Sequence, residues 1–156
     1  MAIQFQITHT LPAPPERAFQ GLTDLENAEA WMPDLIRIER VGGAAAGVGS
    51  RWRETRKMYG KEATEEFEVT VFEPPSRFGL RVDGSKGTSG SGIYTFDYHL
   101  SPDGGGTRVV LDASISNVSR VREWIGKLFA GMYRKMIAKD LQALAEHLRR
   151  QGAAAA

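Results

Sequence analysis

The chain has 156 residues, a formal net charge of +1 and no cysteine. That length suits one domain with a real core, and the near-balanced charge excludes the basic footprint of a nucleic-acid binder. Without cysteine there are no disulfides, no thiol chemistry and no cysteine metal sites; no metal or cofactor is expected.

The amino-terminal MAIQFQITHT lacks a basic stretch followed by an apolar core, so no signal peptide is expected. No apolar run approaches the roughly 20 residues of a membrane-spanning helix, so stable membrane insertion is not expected and a cytoplasmic protein is the simplest reading. Ile3, Phe5, Ile7 and Leu11 alternate with polar residues, a half-buried first strand. Pro12, Pro14 and Pro15 end it, and Pro15 with Glu16 suits the first turn of a short helix burying Ala18, Phe19 and Leu22. Thr23 with Glu26 resembles a capping box for a second short helix ending near Pro33. Trp31 and Met32 at its end either cap a pocket or pack in the core. Leu35–Val41 reads as the second strand, and Gly42–Gly49 as a glycine- and alanine-rich connection without the Gly-Lys-Ser/Thr of a phosphate loop.

Arg51–Met58 and Lys61–Val71, joined by Tyr59-Gly60, read as a hairpin that sets its own register. One face pairs Arg51 with Glu68, Arg53 with Glu66, Thr55 with Thr64 and Lys57 with Glu62. These are stabilising cross-strand combinations, so this face is expected in solvent. The other pairs Trp52 with Phe67, Glu54 with Glu65 and Arg56 with Ala63. Two carboxylates about 5 Å apart repel by roughly 3 kcal/mol at an effective dielectric near 20, enough to hold a proton on one unless a cation intervenes. Arg56 stands two residues beyond Glu54 and diagonal to Glu65, so a Glu–Arg–Glu cluster is expected on the apolar side. It either satisfies itself or orients a ligand's polar end.

After the Glu73-Pro74-Pro75-Ser76 turn, Phe78, Leu80 and Val82 mark a further strand, and Asp83–Gly92 a flexible surface loop by composition. Tyr94, Phe96, Tyr98 and Leu100 share one face of the next strand; Val109, Leu111, Ala113 and Ile115 line the last. From Ser119 to Gln151 the period becomes helical. Its apolar stripe shifts from Val121, Trp124, Leu128, Phe129 and Met132 to Ile137, Leu141, Leu144 and Leu148. Gly126 and Gly131 either allow a bend or leave room for a ligand. The expected domain is 1–152, with 153–156 a disordered tail. The class is α+β: about seven antiparallel strands curved around a long carboxyl-terminal helix, with two short helices after strand one.

Several landmarks resemble one superfamily. They are Pro12 and Pro14-Pro15-Glu16-Arg17-Ala18-Phe19, then Trp31 with Pro33, Gly49-Ser50-Arg51-Trp52-Arg53, Phe72-Glu73-Pro74-Pro75 and Gly106-Thr107-Arg108-Val109. Together they look like the SRPBCC or START-like superfamily, which includes polyketide cyclase/dehydrase-related and birch-pollen-allergen-like proteins. The resemblance implies a helix-grip fold with a deep cavity between sheet and last helix. It implies binding of lipids, hormones, quinones or polyketides, and cyclisation or aromatisation in some members. It carries no catalytic residue over to this chain.

The expected function is binding or transport of a hydrophobic, aromatic or polycyclic, quinone- or lipid-like molecule. Trp31, Trp52, Phe67, Tyr94, Phe96, Tyr98, Leu128 and Met132 would supply apolar contact, and Glu54, Arg56 and Glu65 the polar end. The alternative is an aromatase/cyclase in which Glu54 or Glu65 removes a proton alpha to a carbonyl, with Arg56 or a tyrosine stabilising the enolate. A third class is an interaction module, because Trp124 and Phe129 lie on different edges of the stripe; a homodimer stays open.

Overall fold

The computed structural model describes residues 3–42 and 47–155; the side chains of 120–126, 128, 129 and 155 lie outside the described residues, as does half of the glycine- and alanine-rich connection. Strand β1 (Ile3–Leu11) leads through helix α1 (Pro15–Thr23) and a single 3-10 turn (Ala28–Ala30) to β2 (Leu35–Gly42). Strands β3 (Arg51–Met58), β4 (Lys61–Glu73), β5 (Arg77–Asp83), β6 (Ile93–Asp103) and β7 (Gly106–Ser116) follow, then helix α2 (Arg120–Ala155). The helix continues over 153–155, part of the stretch expected to be a tail. The strands form one antiparallel sheet in the order β1-β7-β6-β5-β4-β3-β2. α1 and the 3-10 turn carry the chain from one edge to the other.

The β3–β4 register is the one read from the sequence: Arg51 opposite Glu68, Trp52 opposite Phe67, Glu54 opposite Glu65, and Arg56 opposite Ala63. Tyr59 and Gly60 both have positive φ, +51° and +79°, as a type I′ hairpin requires. Register shifts in β2–β3, between Leu35 and Arg37 and between Arg40 and Gly42, and in β4–β5, between Val69 and Val71, bend the sheet around α2.

The hairpin's outer face differs from expectation. Thr55 is 1 % exposed, its hydroxyl 2.7 Å from that of Thr64, and Glu66 is 9 % exposed, with Arg51, Arg53 and Lys86 closing over it at 3.6, 3.7 and 3.7 Å. Arg51 thus ion-pairs diagonally, where longer side chains reach further than the directly opposite position. The expected capping box is also replaced. The Thr23 hydroxyl donates back to the Phe19 carbonyl at 2.8 Å, and Asp24 accepts from the backbone of Glu26 and Asn27.

The core lies where the carboxyl half of α2 meets β1, β7 and α1. Leu11, Val109, Leu111, Leu144 and Leu148 are at most 1 % exposed, and Phe19, Phe72 and Phe78 meet edge to face. This packing does not extend along the whole helix, and where it stops the sheet and helix enclose a space.

Candidate functional site

That space is a cavity of about 680 Å³ between the concave sheet face and α2, within the ~300–1,000 Å³ of small-molecule sites. Strand alternation puts Trp52, Glu54, Arg56, Glu65 and Phe67 on its wall, together with Tyr94, Phe96 and Tyr98 of β6. Trp31 and Met132 line it as well; Leu128 lies outside the described side chains. Trp52 and Phe67 stack with ring centroids 5.5 Å apart and planes 6° apart.

The polar groups fall into two clusters rather than the single Glu–Arg–Glu arrangement expected. In the first, Nε of Arg56 donates to Glu54 at 2.5 Å, and Nη1 and Nη2 donate to the two oxygens of Asp140 at 2.9 Å each. Asp140 projects from α2, so this fork ties helix to sheet. Burial alone would lower the Arg56 pKa, but the Glu54 and Asp140 carboxylates outweigh it and hold the guanidinium above its ordinary value. Burial raises the Asp140 carboxyl despite its arginine partner. Burial also raises the Tyr98 phenol, which lies within electrostatic reach of this cluster.

Glu65 belongs to the second cluster. Its Oε1 accepts from the backbone N–H of Ser89 at 2.7 Å and from the Ser89 hydroxyl at 2.6 Å. Its Oε2 is buried with no hydrogen-bond partner among the described residues, as is Nε1 of Trp52. The Glu65 carboxyl is raised, but by burial working against two Ser89 hydrogen bonds, not by Glu54. Although the glutamates are register partners, one side chain turns to Arg56 and the other to Ser89, which removes the expected repulsion. Tyr133 of α2 lies beside Ser89 and Tyr94, and burial pushes its phenol up to about 12. The Tyr94 and Tyr133 ring centroids lie 5.6 Å apart.

The segment holding Ser89 looks unstructured by composition but is laced to its surroundings. Thr88 N–H donates to the Thr64 carbonyl at 2.8 Å, Thr64 N–H to the Thr88 hydroxyl at 2.8 Å, and Gly84 N–H to the Gly92 carbonyl at 2.8 Å. Gly87 packs so closely that an added Cβ would lie 2.3 Å from Oε2 of Glu65 and 2.6 Å from the Thr64 carbonyl. Gly87→Ala should therefore cost about 1–3 kcal/mol by overpacking and pull Ser89 off Glu65. Urea unfolding measures the first effect; a lowered melting temperature with an unaltered cavity would contradict the second.

Sequence reasoning missed Asp140, Ser89 and Tyr133. Asp140 stands four residues after Met136 and eight after Met132, a spacing that puts all three on one helix face. Ser89 offers no sequence signal. Gly131 does not make room for a ligand: it is exposed, and an added Cβ would meet nothing within 4 Å; Gly126 lies outside the described side chains. Among the described residues no group of His, Asp or Glu is arranged to hold a metal ion, and no helix is long and apolar enough to cross a membrane.

A curved seven-stranded sheet gripping a long helix over a cavity is the helix-grip architecture of the START-like, SRPBCC superfamily. Residues 2–151 match the family model described as polyketide cyclase/dehydrase and lipid transport, and the chain belongs to that family. Three similar solved structures share the fold. The Zhui aromatase/cyclase from a Streptomyces species has a TM-score of 0.79 at 14 % identity, covering 97 % of this chain and 96 % of its own. TTHA0849 from Thermus thermophilus has 0.77 at 22 %, covering 96 % and 99 %. A START superfamily protein from Mycobacterium smegmatis has 0.72 at 16 %, covering 93 % and 98 %. No curated protein matches the chain.

Proposed function

We propose that this protein binds or transports a hydrophobic, aromatic or polycyclic small molecule held between the sheet and α2. The observation that carries this reading is the 680 Å³ cavity, its aromatic walls and its polar groups gathered into two clusters. Such a ligand would lie against the Trp52–Phe67 stack and under Met132. Titration with polycyclic aromatics should quench Trp52 fluorescence, with a Trp52→Phe variant as the control for the other tryptophans. Ligand at 100 times Kd adds about 2.7 kcal/mol to stability, raising the melting temperature by roughly 5–10 °C for a chain of this size. Neither quenching nor a shift with any aromatic or lipid-like probe would overturn the reading.

The second reading, a cyclase-type enzyme, draws on Glu65. Its raised carboxyl on the cavity wall suits a base that takes a proton alpha to a carbonyl, the electron pair moving into an enolate stabilised by the Tyr133 phenol on the same cavity. Glu54, bound to Arg56, is the weaker candidate, and Arg56 itself is occupied. Under this reading Glu65→Gln should cut turnover about 10²–10⁴-fold while binding survives.

A further inference from the structure

We propose, resting on the binding reading above, that the cavity selects a ligand without negative charge. The first support is the state of Arg56. It is the natural anchor for a carboxylate or phosphate, yet each of its three nitrogens already donates to a carboxylate of the protein. One guanidinium faces Glu54 and Asp140, so the cluster carries net negative charge before Glu65 is counted. An incoming anion would either compete with Asp140 for its bidentate pair or sit beside two carboxylates that already share one cation, and both cost electrostatic energy in a buried site.

The second support is Glu65, a further carboxylate on the cavity wall, whose Oε1 accepts from Ser89. Its Oε2 packs against the backbone of Gly87, so this group adds negative charge to the wall and offers an incoming anion no donor. The polar lining therefore favours a neutral or cationic group, such as a hydroxyl or an amine. Lys61 does line the cavity, but it is exposed at the hairpin tip beside the equally exposed Glu62, away from the inner wall.

The test compares ligands of one skeleton that differ in charge: 2-(hydroxymethyl)anthraquinone, 2-(aminomethyl)anthraquinone and anthraquinone-2-carboxylate, with dodecanol and dodecanoate as an aliphatic pair. Tryptophan quenching and thermal shift are read at pH 7. The alcohol or amine should bind at least about tenfold more tightly than the matching carboxylate. Asp140→Asn, which removes one negative charge and one acceptor and so frees one guanidinium nitrogen, should narrow that gap by improving carboxylate binding, and Glu65→Gln, which removes a further carboxylate charge from the wall, should weaken the amine most. Equal or tighter binding of the carboxylates would overturn the charge selection while leaving the binding function standing. No binding by any member of either series would overturn both.

Discussion

Replacing Arg56 with methionine should lower the unfolding free energy at pH 7 by about 3–5 kcal/mol. For a chain of this length that moves the melting temperature down by roughly 10 °C or more. The side chain of Arg56 is 11 % exposed, that of Glu54 8 % and that of Asp140 17 %, so two carboxylates would be left facing each other with little water. The loss is therefore a stranding cost rather than the worth of the ion pair itself, which in a buried site is often near zero. Its pH dependence gives the mechanism away. The Asp140 carboxyl is already raised by burial with its arginine present, and rises further without it. A carboxyl raised in the folded state weakens the fold where it is ionised, and the penalty fades as pH falls through the folded-state pKa. The deficit of Arg56→Met should thus be largest near neutrality and shrink as the pH approaches about 4. Urea unfolding across that range measures it. A deficit independent of pH would mean that lost packing, not stranded charge, is responsible. Adding Glu54→Gln and Asp140→Asn to Arg56→Met should recover most of the stability.

The same cluster marks the boundary of what local pattern reveals. The hairpin was legible because Tyr59-Gly60 and the run of opposed charges around it leave one register with an apolar inner face. That register correctly turned Glu54, Arg56 and Glu65 inward, so the composition of the wall followed from period-two alternation. What the strands could not disclose is which partner each charged group takes. Arg56 reaches a residue 84 positions away, and only the helical spacing of Asp140 from Met132 and Met136 hinted at the meeting. Glu65 turns to a serine in a segment whose glycine-rich composition gives no clue that it folds back on β4. The cavity is a further step removed, since an unfilled volume depends on how far sheet and helix stand apart. Trp31, Met32 and the helix glycines left a pocket only as one of two alternatives, and the family resemblance supplied the expectation of a deep cavity.

The division of α2 into a packed half and a cavity-facing half should separate stability from binding. The expectation rests on what lies opposite each side chain. Leu144 is fully buried and wedged so closely that a Cβ added at Gly21 would lie 3.1 Å from its Cδ1. Leu144→Ala should cost about 3–4 kcal/mol, a transfer loss plus a void that tight neighbours cannot close, and so lower the melting temperature by roughly 10 °C. Met132 instead borders the cavity, so its side chain already lacks contact atoms on one side. Met132→Ala should cost less than about 1.5 kcal/mol in the unliganded protein, because little packing is lost. With ligand bound the order reverses. Met132→Ala removes apolar area that the ligand would cover, about 1–2 kcal/mol, and should weaken binding roughly tenfold. Leu144→Ala, assayed well below its melting temperature, should bind nearly as the parent does. Thermal unfolding and fluorescence titration on the two variants decide the matter. If Met132→Ala melts as early as Leu144→Ala, the space beside it is closed in solution, and the first half of the helix is ordinary core.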